Sequence, residues 1–128
     1  MKAYLKQYQQ TPRKVRLVAD AVRGLSVDQA LKTLEFMPKK SAKALHKLLN
    51  SALANTGESD YQNHAGDYFI KTLQVDEGPR FRRFRPGFRG RADRFYRRSS
   101  HVTIELAKHN NTNPAATTKQ AAKQTTKK

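Results

Sequence analysis

The pattern of apolar and polar positions over the first 24 residues predicts a short strand followed by one helix. Ala3 and Leu5 lie two positions apart, which suits a short strand or an extended arm. A helix should begin after Thr11, because a hydroxyl residue suits the N-cap and Pro12 suits the first helical position. Gly24 should end this helix. Its apolar face is Val15, Val18 and Val22.

Capping residues and apolar stripes mark two further helices. The sequence SVDQ predicts a capping box, in which Ser26 and Gln29 satisfy each other's backbone N–H groups. Pro38 ends the second helix and can open a third, which Gly57 and the polar loop 58–67 close. The second stripe is Val27, Ala30, Leu31 and Leu34, and the third is Ala42, Leu45, Leu49 and Ala52, widened by Leu48 and Leu53.

Two strands follow the helices. Tyr68 and Ile70 alternate in one phase and Leu73 and Val75 in the other, so we expect a β-bulge near Lys71–Thr72. The segment HVTIEL alternates cleanly through Val102, Ile104 and Leu106. An arginine-rich segment lies between these strands, which are therefore expected to be the arms of one long hairpin.

Positive charge is concentrated in two segments of the chain. The formal net charge is +16, and residues 78–98 hold nine arginines and one aspartate. Residues 107–128 hold five lysines and no acid, whereas the remaining 85 residues hold twelve basic and nine acidic side chains. An acidic polymer is the expected partner of such a protein.

Length and composition predict one domain with appendages. Hydrophobic residues make up 37% of the 128 residues, enough for a modest core. We predict a single domain over 1–106, with a globular body formed by 1–77 and 99–106 and an extended hairpin at 78–98. Residues 107–128 lack periodicity and are predicted to be a disordered, lysine-rich tail.

The arginine segment 78–98 allows several structural interpretations. Phe81, Phe84 and Phe88 recur at helical spacing, as in a helix that binds membranes or calmodulin. Prolines and glycines interrupt any such helix: Pro86, Gly87 and Gly90. Strand alternation does not fit either, because Phe81 and Phe84 are separated by an odd number of positions. The sequence therefore favours an irregular, extended hairpin tip.

A flexible, solvated loop does not account for the phenylalanines of this segment. Four of the six in the chain lie between residues 81 and 95, and leaving each exposed forgoes about 1.5–3 kcal/mol of burial. Stacking on nucleic-acid bases offers about 1–3 kcal/mol per base instead. Arginine guanidinium groups also donate paired hydrogen bonds to phosphate oxygens and stack on bases. Folded RNA is thus the favoured partner.

No pattern in the sequence predicts catalysis, a cofactor or a metal site. Asp76 and Glu77 are adjacent, so on a strand they face opposite ways. The four histidines share no ligand spacing and cysteine is absent. No apolar run is long enough to span a membrane and no secretory signal is evident. We therefore expect a soluble intracellular protein that is not an enzyme and has no membrane partner.

Four motifs occur together in register: PRKVRLVADAVRG (12–24), VDEGP (75–79), GRADR (90–94) and RRSSHVTI (97–104). Over residues 2–106 this set resembles the bacterial form of the large-subunit ribosomal protein twenty-two family. The resemblance implies an α+β fold in which three helices pack on a small antiparallel β-sheet. A long β-hairpin should extend from it, between Gly78 and about Arg98.

The resemblance also implies a function. Members of this family are structural constituents of the cytoplasmic large ribosomal subunit, with the globular body at the surface near the exit of the peptide tunnel. Their hairpin threads through ribosomal RNA and its tip lines the tunnel wall, where it affects macrolide sensitivity. The implied partners are large-subunit ribosomal RNA, neighbouring ribosomal proteins and the nascent peptide, and the implied role includes subunit assembly.

Candidate site residues follow from the residue chemistry and the resemblance together. The predicted RNA contacts are Arg80, Arg82, Arg83, Arg85, Arg89, Arg91, Arg94, Arg97 and Arg98 in the hairpin, and Arg13, Lys14 and Arg16 at the first helix. The predicted tunnel-facing tip is Phe84, Arg85, Pro86, Gly87, Phe88 and Arg89. The chain departs from the family at Gly87-Phe88, where relatives usually carry Arg-Ala, and at Phe81 and Phe84, where aliphatic residues or methionine are commoner.

Three other functions compete with a ribosomal role. A free nucleoid protein or RNA chaperone would share the charge pattern, and it would bind duplex DNA about as well as RNA. An RNA-modifying enzyme would need a catalytic constellation, and a cationic membrane-active protein would need a helix in the arginine segment. The sequence supports neither of these last two requirements.

Overall fold

A computed structural model of the chain describes residues 1–56 and 65–108. Three helices and three strands follow one another in it: β1 (Lys2–Tyr8), α1 (Pro12–Val22), α2 (Val27–Phe36), α3 (Lys40–Ala54), β2 (Tyr68–Pro86) and β3 (Ala92–Lys108). Short 3₁₀ turns cover Ala65–Asp67 and Phe88–Gly90. The α+β class, the three helices and the long hairpin are thus confirmed. Most of the predicted loop, 57–64, and the tail from residue 109 lie outside the described residues.

The helix ends lie close to the residues that predicted them. Thr11 occupies the N-cap of α1 and Pro12 its first turn, although the Thr11 hydroxyl makes no capping hydrogen bond. Gly24, just beyond α1, has a φ of +79°, the left-handed conformation that glycine adopts without strain. Of the predicted capping box, the structure shows the bond from the Gln29 N–H to the Ser26 hydroxyl, at 3.4 Å. α2 ends before Pro38 and α3 begins after it.

The core lies between the helices and one face of the sheet. Every apolar position predicted for the three helical stripes is buried except Leu31, which is half-buried against the core. From the sheet, both phases of β2 and the predicted alternation of β3 contribute. These buried strand residues are Tyr68, Ile70, Leu73, Val75, Val102, Ile104 and Leu106.

The sheet is antiparallel with the strand order β1-β3-β2. The pairing of β2 with β3 shifts between Ile70 and Thr72, which confirms the predicted bulge and explains why both phases of β2 face the core. β3 also continues through Ala107 and Lys108, so the prediction that the tail begins at residue 107 is wrong for these two residues. The reason is tertiary: these two residues pair with Phe69 and Tyr68, and the Lys108 ammonium lies 5.6 Å from the centre of the Tyr68 ring.

Side chains from α1 hold the outer edge of β2. Arg16 donates to the Val75 carbonyl oxygen from Nε at 3.2 Å and from Nη2 at 2.9 Å. Arg23 donates to the Leu73 carbonyl oxygen at 2.9 Å. Because β2 is an edge strand of the sheet, these contacts occupy carbonyl groups that could otherwise pair with another chain. The helix that carries the first predicted cations is thereby fixed against the strand that becomes the hairpin.

Candidate nucleic-acid interface

The arginine segment forms a regular antiparallel ladder beyond the core. β2 and β3 stay paired from Arg80 opposite Arg98 to Pro86 opposite Ala92, and only residues 87–91 leave the ladder. Our prediction of an irregular tip over the whole segment was therefore wrong. Alternation identifies strands only where one face is buried. Here both faces are exposed, so Phe81 and Phe84 can lie on opposite faces of a regular strand.

The ladder has two faces because directly paired residues point the same way. The helix face continues the core side of the sheet, on which Ser100 and Val102 are buried. The open face continues the opposite side. The helix face comprises Arg80, Arg82, Phe84, Arg94, Tyr96 and Arg98, and the open face comprises Phe81, Arg83, Arg85, Asp93, Phe95 and Arg97.

The ladder is fully exposed. Every residue from Pro79 to Arg98 is exposed, including the aromatic side chains, of which Phe84 is 71% and Phe88 81% accessible. Cation–π contacts join Arg85 to Phe95, at 5.9 Å from the ring centre, and Arg89 to Phe88, at 5.2 Å. The hairpin thus presents exposed aromatic rings and guanidinium groups on both faces.

The hairpin leaves the body through a tightly packed joint. The register of β2 against β3 shifts between Glu77 and Arg80, at Gly78 and Pro79. A β-carbon on Gly78 would lie 2.6 Å from the Ser99 hydroxyl oxygen and 3.2 Å from Nε2 of His101. The same hydroxyl donates to the Pro79 carbonyl oxygen at 2.8 Å. Only glycine leaves room for this approach, which the sequence motif alone does not reveal.

The predicted cations of α1 adjoin the base of the helix face. Arg13, Lys14 and Arg16 line one cavity of about 450 Å³ together with Glu77 and Arg98. The Arg16 guanidinium already bonds to the β2 backbone there, so Arg13 and Lys14 are the cations of this trio with no hydrogen bond to the described residues 1–56 and 65–108.

Glu77 orients arginines at this junction. Its carboxylate oxygens lie 3.7 Å from Nη2 of Arg80 and 3.6 Å from Nη1 of Arg98. The sequence alone reveals no partner for Glu77. The register shift at Gly78 and Pro79 brings Arg80 to the side of the sheet that Glu77 occupies, and Arg98 lies on that side through the regular alternation of β3. These two ion pairs hold Arg80 and Arg98, which are both predicted RNA contacts, at the base of the ladder.

The tip is a five-residue turn closed by its own backbone. The Gly87 N–H donates to the Arg91 carbonyl oxygen at 2.6 Å. Arg89 and Gly90 both adopt positive φ, 54° and 72°. Of the residues predicted to face the tunnel, Phe84, Arg85 and Pro86 lie in the ladder and the other three lie in this turn.

The part of the chain that the structure describes offers no metal-binding cluster and no membrane-spanning helix. Over residues 1–56 and 65–108, no three histidine, aspartate or glutamate side chains come together in a way that could hold a metal ion. None of the described helices has the length and apolarity needed to cross a bilayer.

Comparison with known proteins gives one consistent match. The family model described as ribosomal protein L22p/L17e matches residues 3–107. A large ribosomal subunit protein uL22 from Desulfotalea psychrophila is 48% identical over 96 residues, covering 75% of this chain and 86% of the relative. Proteins of the same name from Herpetosiphon aurantiacus and Mesoplasma florum are 45% and 48% identical over 103 residues; each match covers 80% of this chain, and 90% and 91% of the relatives.

Proposed function

This chain belongs to the ribosomal protein L22p/L17e family, structural components of the large ribosomal subunit, and we propose that it binds ribosomal RNA through both faces of its hairpin. As a subunit component it acts in the cytoplasm, alongside ribosomal RNA and other ribosomal proteins. The proposal extends this to the residues that make the contact. They are the ladder arginines, with Arg13 and Lys14 at the base of the helix face and Arg16 beside them.

The observation that carries the proposal is the exposed ladder. Nine arginines and one aspartate occupy residues 78–98, and every residue from 79 to 98 is exposed. Alone in water, such a two-stranded ribbon is marginally stable and its like charges repel. Phosphate groups of RNA that lie between arginines of the two strands would remove that repulsion. A guanidinium group can donate two parallel hydrogen bonds to phosphate oxygens.

We further propose that the tip lies at the wall of the peptide exit tunnel and meets the nascent chain. The resemblance supports this location, and the shape of the hairpin is compatible with it. Seven residue pairs, from Arg80–Arg98 to Pro86–Ala92, carry the tip on the order of 20 Å beyond the joint. Gly87 and Phe88, where this chain differs from its relatives, would then face the lumen or the RNA beside it.

A binding titration tests the RNA contact. The full chain should bind a large-subunit ribosomal RNA transcript with an affinity that falls steeply with salt, because each neutralised phosphate releases counterions. When Arg82 or Arg94 is replaced with glutamine, the plot of log K against log salt concentration should become less steep, by about one unit of slope for each replacement. Lys32→Gln removes the same charge from α2, where Lys32 pairs with Asp28, and should leave the slope unchanged. Equal slopes for all four proteins would refute the proposal.

The competing role as a free nucleic-acid-binding protein calls for a second titration. Duplex DNA of matched length should bind the chain more weakly than the ribosomal transcript, because the exposed rings need unstacked bases that a duplex does not present. The chain should also sediment with large subunits through moderate salt. Equal affinity for duplex DNA, or absence from purified subunits, would favour the free protein.

A further inference from the structure

A second cavity lies at the root of the hairpin, on its open face. It has a volume of about 270 Å³, and its walls come from two parts of the chain. Phe81, Arg83 and Arg97 belong to the ladder, whereas Gln7 and Gln9 lie at and just beyond the end of β1. An aromatic ring, carboxamides and guanidinium groups thus converge in one place, and the glutamines are not among the RNA contacts predicted from the sequence.

The backbone holds Gln7 in an unusual conformation at this cavity. Its φ is 55°, a region that residues other than glycine seldom occupy. The pairing of β1 with β3 is irregular between Leu5 and Tyr8, and the Gln7 N–H donates to Nδ1 of His101 at 3.0 Å. Within residues 1–56 and 65–108 the Gln7 carboxamide has no hydrogen-bond partner. Conformations of this kind persist where the surrounding structure imposes them, often at binding sites.

Gln9 is oriented by the hairpin itself. Its Oε1 accepts a hydrogen bond of 2.6 Å from Nη2 of Arg97, which leaves the Gln9 amide hydrogens as donors. Phe81 is the cross-strand partner of Arg97; it is 52% accessible and lines the same cavity as the two carboxamides.

We propose that this cavity binds one unpaired RNA base, which stacks on Phe81 while Gln7 and Gln9 bond to its edge. The inference rests on the proposed RNA binding of the hairpin and adds a base-specific site to it. A carboxamide offers a donor beside an acceptor, the combination that base edges present in return. Arg83 and Arg97 neutralise the phosphates on either side of the base. A bound phosphate group would contact only the arginines, so it would not account for the exposed ring of Phe81 or for the Gln7 carboxamide in the same cavity.

Affinity measurements separate this site from general RNA binding. For the full chain and a large-subunit ribosomal RNA transcript, Phe81→Ala should weaken binding by about 5- to 150-fold, the range found when a ring that stacks on a base is removed. The salt slope should stay unchanged, because no charge is lost. Phe36→Ala removes an exposed ring at the end of α2 and should bind like the unaltered chain.

A second variant removes the base-reading group without harming the fold. Gln7→Gly deletes the carboxamide and relieves the positive φ, so thermal unfolding should occur at the same or a higher temperature. Its affinity for the transcript should fall by about 5-fold or more. Probing base edges with dimethyl sulfate and a carbodiimide should show one unpaired base that the unaltered chain protects and that both variants expose.

The outcomes distinguish the two proposals. Suppose that Phe81→Ala binds within twofold of the unaltered chain while Arg82→Gln still lowers the salt slope. The base site is then refuted and the RNA-binding hairpin stands. If the unaltered chain does not bind the transcript with a salt-dependent affinity, the proposed function fails and the base site fails with it.

Discussion

The guanidinium of Arg16 on α1 donates two hydrogen bonds to the carbonyl oxygen of Val75 on β2, 59 residues further along the chain. Val75 is the last buried residue of β2 before the hairpin leaves the body. The contact therefore ties the helix that bears Arg13 and Lys14 to the strand that bears the ladder.

Replacing Arg16 should consequently affect stability more than its exposed position suggests. We expect Arg16→Ala to lower the free energy of unfolding by about 1–2 kcal/mol, since a charged donor to a backbone oxygen is lost at a partly exposed site. Urea unfolding measures this change. Arg13→Ala, on the same helix, is the matched control and should stay within about 0.5 kcal/mol of the unaltered chain. Equal effects of the two replacements would contradict a clamping role for Arg16.

Gly78 at the joint should not accept a side chain. Gly78→Ala brings a β-carbon against the Ser99 hydroxyl and His101, and we expect a loss of about 1–3 kcal/mol of stability from this overpacking. Gly66→Ala, which meets nothing within 4 Å, should be neutral or slightly stabilising. Adding Ser99→Ala to Gly78→Ala should recover part of the loss, because the closest contact is removed. A double variant whose losses simply add would argue against this clash.

The ion pair between Lys2 and Glu105 should make stability depend on pH at both extremes. Hydrogen bonding to Lys2 holds the pKa of Glu105 below its usual value, and the same bond raises the pKa of Lys2. The Glu105 contribution is therefore present above about pH 4.3, its unfolded pKa, and is lost as pH falls through the lowered pKa. The Lys2 contribution is present below about pH 10.4 and is lost as pH rises through the raised pKa.

Urea midpoints measured against pH for the unaltered chain and Lys2→Met test this dependence. The difference between the two proteins should be constant near neutrality and shrink toward both extremes. The double variant Lys2→Met, Glu105→Gln should lose less free energy of unfolding than the two single variants lose in sum, because each single change already removes the same ion pair. A difference that persists undiminished at pH 2 would exclude the ion pair as its source.

Deleting residues 82–90 should leave the body folded, because every residue from 79 to 98 is exposed and no buried side chain is removed. Helical circular dichroism should be retained, and the free energy of unfolding should change little. In cells whose ribosomes carry the deleted form, the macrolide response should change if the tip lies at the tunnel wall. Loss of the helical signal would show that the body depends on the hairpin.

The sequence predicted the body well because local rules and burial agree there. Pro12, Gly24 and Pro38 predicted helix limits that the structure shares, and the change of phase between Ile70 and Leu73 predicted the bulge. Each of these signals acts over a few residues, through backbone geometry or through the alternation that a half-buried strand requires.

The hairpin was harder to predict because neither of its faces is buried. The odd spacing of Phe81 and Phe84 argues against a half-buried strand, yet the two residues lie on opposite faces of a regular ladder. Because neither ring packs into the core, the spacing of these two residues cannot show whether the segment is a strand. The identity of the segment as basic and aromatic was nevertheless clear from composition, and its place between two strands correctly indicated a hairpin.

By itself, then, the sequence determined the order of the elements, the core positions and the concentration of charge in two segments, since these follow from local propensity, hydrophobic pattern and composition. Only the tertiary structure decided which distant groups meet: Arg16 with Val75, Gly78 with Ser99, and Gln7 with His101. Those contacts join residues between 21 and 94 positions apart. They depend on the register of the strands and the placement of α1, which no local pattern encodes.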